Sequence, residues 1–513
     1  MANYEITEVR LLNVPLENDY THTLYFENST AQASYFMSKT VDTMANSSYQ
    51  RKDKKIRWDS DYDDVIGANY VMYKNGDKWY YAFITNIDYV SPGMCDIYIE
   101  TDVIQTWLFN YTVNTSFIER EHTNDDRIGH NTIPEGLETG EYIKNGDGKI
   151  DGALMETCII LAVTEDADGN KTVGKKYGGV FSGVGYRYAL TTDNAKAFIE
   201  AYDGGKADAI QAIFLAPTQL VSIDPNNDGG FIKETATANF WDINLGSAPT
   251  TLDGYTPRNK KLLCYPYSYL YVTNQQGGCG IYHNEKFYNG GDRKFRTYGV
   301  ITPGCSIRTM PMQYDVVAYN SDYSIPLGKF PVCNWTSDVY TNWLTQNSIN
   351  NVMTGVTAFS SIAGGVAMLG TGAGTLAGVG MIAGGVTAIM NSVSQHQQHD
   401  LIPAQASGNL NCGDVAFSSG HNNFRYLDMS IKAEYARVID DYFSMFGYKT
   451  NRVKTPNKNH RANYWYTKTI DCNITGAIPM EDMRKIKDCY NRGITFWKNP
   501  ANIKNYNVDN SIV

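Results

Sequence analysis

Residues 69–90, NYVMYKNGDKWYYAFITNIDYV, place two alternating aromatic runs on either side of Asn75-Gly76. A period of two sends successive side chains to opposite faces of a strand. Asn-Gly supplies the positive φ values of a type I′ turn, so a β-hairpin is expected here. CDIYIETDVIQTWLF (95–109) adds a further strand, or two, and KLLCYPYSYLYVTN (261–274) another. One early helix is expected over Ser29–Val41. Between about Ile150 and Gly254 the texture turns to Gly/Asp-rich turns, with helix-like pieces at NAKAFIEAY (194–202) and ADAIQAIF (207–214). Two late stretches have helical period. Ile431, Tyr435, Val438, Tyr442 and Phe446 form one face, and Met480, Met483, Ile486 and Tyr490 another, the latter stopped by Gly493.

One stretch follows a different rule. From Val339 to His399 the chain carries no Lys, Arg, Asp or Glu, although charged residues make up 19% of the whole. Large apolar residues fall at Val352, Val356, Phe359, Ile362, Val366 and Leu369, one stripe of a helix. After the breaker GTGAGT a second stripe runs through Leu376, Val379, Ile382, Val386, Ile389 and Val393. Gly370, Gly374 and Gly378 are four apart, as are Gly380 and Gly384, the small-xxx-small spacing that lets helices approach closely in lipid. The pattern describes a hairpin of two short helices, each with a bulky and a small face.

Each arm is at the lower limit for crossing a bilayer. Six large apolar residues contribute only about −2 to −4 kcal/mol of insertion free energy per arm. Ten glycines between Gly355 and Gly385 count against a buried hairpin in a soluble core, because each costs about 1 kcal/mol of helix stability relative to Ala. A segment hidden in one state and inserted in another fits both facts; a core hairpin is the alternative.

Composition narrows the class. In 513 residues there are 38 tyrosines, and the net charge is −10. Abundant tyrosine, Asn and Thr favour strands and turns. The acidic balance excludes a static nucleic-acid binder but not a conduit past which DNA slides. Nine scattered cysteines, with no CxxC pair, read as reduced small apolar residues rather than a disulfide or zinc framework. The opening MANYEITEVR has neither a basic nor an apolar region of a secretory signal, so synthesis in a cytoplasm is expected.

Candidate chemistry is sparse. Asp224, Asn226, Asp228 and Gly229 match the start of a calcium loop, but Thr235 stands where a bidentate Glu is required. The loop around Asn145–Asp151 fails because Ile143 and Leu154 would stand at its first and last positions, and both stretches read as ordinary turns. His396 and His399 read as a solvated helix end, and His122, beside Glu119 and Glu121, as part of a polar network. No nucleophile elbow, phosphate loop or zinc-protease motif is present. No cofactor, metal or catalytic residue is expected.

VPLENDYTHTLYF, the hairpin at 69–90, IETDVIQTWLFNYTVNTSFIEREHT, NTIPEGLETGEYI, LLCYPYSYLYVTN, KAEYARVIDDYFSMFGYKTNRVKTPNKNHRANYWYTKTIDCNITGAI and NRGITFWKNP together carry a resemblance. Over about Val14–Tyr142 and Lys261–Pro500 the chain resembles the distal tail knob proteins of small short-tailed phages of the phi-29 group. The middle, about 150–254, has no match of this kind. The resemblance implies a homohexameric, β-rich tube at the far end of a virion tail. It also implies that six glycine-rich loops fill the lumen, then leave it and open the host membrane for the DNA.

The expected fold class is therefore α+β and predominantly β, with a few peripheral helices and one long apolar loop. The expected divisions are 1–150, a β-rich tube domain; 151–260, a variable middle domain; 261–340, a return to the tube; 341–408, the membrane-active loop; and 409–513, a C-terminal part completing the tube. Expected partners are other copies of the chain, an upstream tail or collar protein, the host cell membrane, and double-stranded DNA in transit without sequence recognition. A tube whose loop is only a plug and a tail-associated wall hydrolase are the alternatives.

Overall fold

The computed structural model describes residues 7–47, 50–150, 157–202, 209–221, 229–287, 291–328, 330, 332–334 and 423–513. The fold is α+β and predominantly β. The chain divides into two compact units. One comprises Met1–Gly140, Tyr255–Leu262 and Ala433–Val513, the other Glu141–Gly254 and Leu263–Lys432.

The first unit contains a six-stranded antiparallel sheet. Its order is Thr40–Ser47, Thr7–Leu12, Tyr70–Asn75, Lys78–Ser91, Met94–Thr101, Lys55–Trp58. Alternate residues of its central strands enter two separate cores: Tyr70, Met72 and Tyr81 one, and Val71, Tyr73 and Ala82 the other. Burial on both faces explains why this hairpin is aromatic throughout. The hairpin is present, but its turn is one residue later than expected. Asn75 pairs with Lys78, so Gly76-Asp77 forms the loop, with Gly76 at φ 60°. Asn75 is instead extended in the strand, and its side chain exchanges hydrogen bonds with the backbone of Gln50 at 3.2 and 2.9 Å.

The same unit holds a five-stranded sheet in the order His22–Leu24, Ile494–Trp497, Tyr464–Ile470, Ser116–Glu121, Tyr448–Lys454. Trp497 and Tyr464 are buried in its core, with ring centroids 4.5 Å apart. The early helix runs Ser29–Met37, opened by the Asn28 side chain accepting from Ala31 N at 2.9 Å. Residues 95–109 form one strand and then a short helix, Val103–Trp107, rather than a second strand. Asp102 caps that helix by accepting from Gln105 N at 3.0 Å.

The two late helices are present, but their faces differ from the expected ones. Ala433–Phe446 buries Ala436, Ile439, Asp440 and Phe443, while Val438 is 69% exposed. The cause is polar. Asp440 accepts from Tyr255 Oη at 2.7 Å, Arg258 N at 2.8 Å, Asn259 N at 3.0 Å and Asn259 Nδ2 at 2.8 Å. These bonds hold the segment Tyr255–Leu262, and they require a carboxylate on the inner face. Met480–Arg492 buries Ile486 and Tyr490 as expected, together with Asp482 and Cys489, and Met480 is exposed. Gly493 ends it at φ 99°, where any side chain would also collide with Tyr466 Oη.

Among the described residues the second unit contains a two-stranded sheet, Lys176–Tyr177 with Val180–Phe181, and three larger ones. One has the order Tyr142–Lys149, Arg425–Ile431, Ser268–Thr273, Cys279–Tyr282. Another runs Gly185–Ala189, Thr157–Val163, Ile210–Pro217, Val332–Asn334. In the third, Asn239–Asn244, Lys294–Gly299 and Ile307–Tyr314 lie side by side, and Ile307–Tyr314 also pairs with Val317–Tyr319 and Ile325–Leu327. The helix-like piece at 194–202 belongs to a helix, Thr192–Glu200. The piece at 207–214 does not: Ile210–Pro217 is a strand paired on both sides and almost wholly buried. A short apolar run looks alike in a buried helix and a central strand. Residues 145–149 are likewise strand rather than turn, with a bulge between Lys144 and Gly146, and Gly148 leaves room for the Tyr426 ring.

Candidate functional site

The two apolar stripes between Val352 and Val393, and the glycines Gly370, Gly374, Gly378, Gly380 and Gly384, lie outside the described residues, as do His396 and His399. The structure shows how the chain enters and leaves that segment, and both roots lie in the second unit.

On the incoming side, Ile325 and Leu327 are buried in the core of the second unit, and Phe330 follows them there. The chain then adds the strand Val332–Asn334 beside Ile210–Pro217, pairing Ile213 with Cys333. On the outgoing side, Asn423 and Phe424 are buried. Ile150 N donates to Phe424 O at 2.8 Å, and the strand Arg425–Ile431 enters its sheet between Tyr142–Lys149 and Ser268–Thr273.

One tight loop, Asn274–Gly278, holds both roots. Asn274 Nδ2 donates to Pro326 O at 2.6 Å. Gln276 Nε2 donates to Gly328 O at 3.0 Å, and Gly328 N returns a bond to Gln276 Oε1 at 3.3 Å. Gln275 Nε2 donates to Asn423 Oδ1 at 3.0 Å, which ties the outgoing root to the same loop. The loop is itself stiffened from within. Asn274 Oδ1 accepts from Gln276 N and Gly278 N, both at 2.8 Å, and Gln275 sits at φ 55°. A side chain at Gly278 would strike Asn274 Nδ2. Asn274 itself is 5% exposed, and Gln275 and Gln276 are half-buried.

The sequence reading stopped at Asn274 and missed Gln275, Gln276 and Asn423. The signal was present in NQQGG, an Asn followed by two glycines between two strand patterns. What the spacing could not reveal is that the two glutamines reach chain ends about fifty and one hundred and fifty residues away.

His122 is structurally engaged. It is buried, accepts from Tyr466 N at Nδ1 (2.7 Å) and faces Ser444 O with Nε2 at 3.0 Å, which assigns its proton to Nε2. Burial, reinforced by Arg461, lowers its pKa to about 3. This is the polar network expected for His122, and both of its ring nitrogens are occupied by main chain. Cys95, Cys158, Cys264, Cys305, Cys472 and Cys489 are buried free thiols, and Cys279 is an exposed one. Among the described residues no group of three or more His, Cys, Asp or Glu is placed to hold a metal ion, and no helix is long and apolar enough to cross a membrane.

Comparison with known proteins joins these observations. Residues 232–511 match the family described as Bacillus phage phi29, Tail knob protein gp9, C-terminal domain. This region includes the Asn274–Gly278 loop and both roots. Residues 5–112 match the family described as Caudoviral major tail protein N-terminus, and they contain the whole six-stranded sheet. The chain is 27% identical to the tail knob protein gp9 of Bacillus phage B103 over 599 residues, covering 99% of this chain and 98% of that one. It is also 27% identical to the tail knob protein gp9 of Bacillus phage phi29 over 606 residues, with the same coverage. The fold is similar to the solved tail knob protein of bacteriophage C1, with a TM-score of 0.66 at 14% identity, over 99% of this chain and 100% of that one. The chain belongs to the phi29 tail knob protein family and is a structural protein of the phage virion, at the distal end of the tail.

Proposed function

We propose that copies of this chain assemble into a hexameric tube that conducts DNA. In this reading residues 341–408 plug the tube's lumen, then leave it and penetrate the host cell membrane during genome ejection. The chain works as a device and not as an enzyme. Its partners are five further copies, the upstream tail or collar protein, the host membrane, and double-stranded DNA read by no sequence contact.

The observation that carries this reading is the uncharged run from Val339 to His399, with its two stripes of bulky residues, set in a chain that is otherwise polar. Its roots support it. Both are fastened to one loop of the second unit, so the segment can change surroundings while its ends stay fixed. The weak insertion of a single arm is offset by number, because six hairpins on one rim act at high effective concentration. The net charge of −10 suits a passage to which DNA does not adhere.

The test uses Val366→Asp and Ile382→Asp. A charge at the centre of a spanning helix costs about 2.5–3.5 kcal/mol, which cancels the insertion free energy of an arm. Both variants are expected to assemble as the unaltered chain does, by light scattering, and to lose most of their release of dye from liposomes. Variants that fail to fold would make the segment a piece of core. Full leakage from both would remove the stripes from the mechanism.

A further inference from the structure

In the first unit, residues 506–511 border a cavity of about 420 Å³ together with His122, Arg258, Ser444, Arg461 and Tyr464. Arg461 is the unusual group. It is 9% exposed, yet no carboxylate of the described residues lies within ion-pair distance of it. Its Nε donates to Thr123 O at 3.0 Å and its Nη1 to Asn510 O at 3.1 Å, which leaves the remaining N–H groups without an acceptor among the described residues. A guanidinium with few protein acceptors, facing a cavity, has N–H groups to offer an anion.

The neighbours add donors rather than acceptors. Arg258 gives one edge of its fork to Asp441, with Asp440 at 3.6 Å from Nε, and has an N–H left over. Ser444 Oγ accepts from Asn259 Nδ2 at 2.9 Å, so its hydroxyl hydrogen is uncommitted. His122 is neutral here and spent on main chain. Four carboxylates oppose an anion, Asp440 and Asp441 at Arg258 together with Asp509 and Asp126, and all are engaged. Asp509 accepts from Ser511 N at 3.1 Å and Ser511 Oγ at 3.4 Å. Asp126, whose charge reaches Arg461, accepts from Tyr448 Oη at 2.6 Å and Lys260 N at 3.1 Å.

We propose that this cavity binds a small phosphate ester. Guanidinium forks match the geometry of an oxyanion, and the two arginines with the Ser444 hydroxyl offer more donors than a carboxylate can use. Phosphate has three strong acceptor oxygens to take them. The cavity is larger than a phosphate group alone and has room for an attached alcohol the size of a polyol or sugar. The site is not a generic basic surface, since the chain as a whole carries a net charge of −10.

Calorimetric titration of the full chain with glycerol 3-phosphate and with inorganic phosphate, at constant ionic strength, tests this. One saturable site per chain is expected, with the ester bound at least fivefold more tightly than phosphate. Arg461→Gln and Arg258→Gln should each weaken ester binding tenfold or more. If Arg461→Gln fails to fold, Arg258→Gln decides, because that side chain is partly exposed. No saturable binding, no preference for the ester, or affinity retained by the folded variants would overturn the proposal.

Discussion

Two buried titratable side chains of the first unit pull its stability in opposite directions as pH changes. Burial raises the Asp102 carboxyl to about 6, although it accepts from Gln105 N at 3.0 Å and Tyr70 Oη at 2.8 Å. Folding therefore favours its protonated form. Its contribution is full below the ordinary carboxylate range and is lost as pH rises through about 6. His122 is held neutral, so its contribution is full above 6.5 and is lost as pH falls toward about 3. Asp102→Asn keeps the helix cap and removes the buried charge. It is expected to stabilise the first unit by about 1–3 kcal/mol at pH 7–8, with the gain fading by pH 4. Thermal unfolding of variant and parent across that range reads the effect, and a gain independent of pH would mean that the charge is not its source.

Between the residue and the molecule stands the element, and here the Asn274–Gly278 loop matters most. Asn274→Ala removes one buried donor and one doubly used acceptor, a loss of about 2–3 kcal/mol from the second unit. The variant should also be cleaved faster by protease near residues 326–330 and 423–425. An unchanged cleavage rate there would show that the loop does not hold the roots. Elements of this size were unevenly legible in the sequence. The hairpin at 70–91, the early helix and the helix at 192–200 were readable because local pattern and capping agree with the fold. The strand Ile210–Pro217 was not, because burial on both faces erases the alternation that marks a strand. The inner face of Ala433–Phe446 was missed for another reason: Asp440 is polar by type but buried by function, and its partners at 255–259 are remote in sequence. The loop that anchors both roots was visible only as a turn.

At the scale of the molecule, the described residues form two β-rich units, and the apolar segment is rooted in one of them. Family membership and a role in the phage tail rest on nearly full-length similarity to tail knob proteins. The two-state behaviour of residues 341–408 is the central claim, and it rests on energetics. The segment is too rich in glycine for a comfortable core and too weakly apolar for a permanent anchor. It suits alternation between a lumen, where copies cover one another's bulky faces, and lipid. The measurement that tests this most directly is dye release from liposomes by the full chain and by one lacking Val352–Val393, at neutral and mildly acidic pH. Leakage by the full chain alone, with both forming the same assemblies, is the predicted result. No leakage from either, with the same assemblies formed, would contradict membrane penetration and leave the segment a plug.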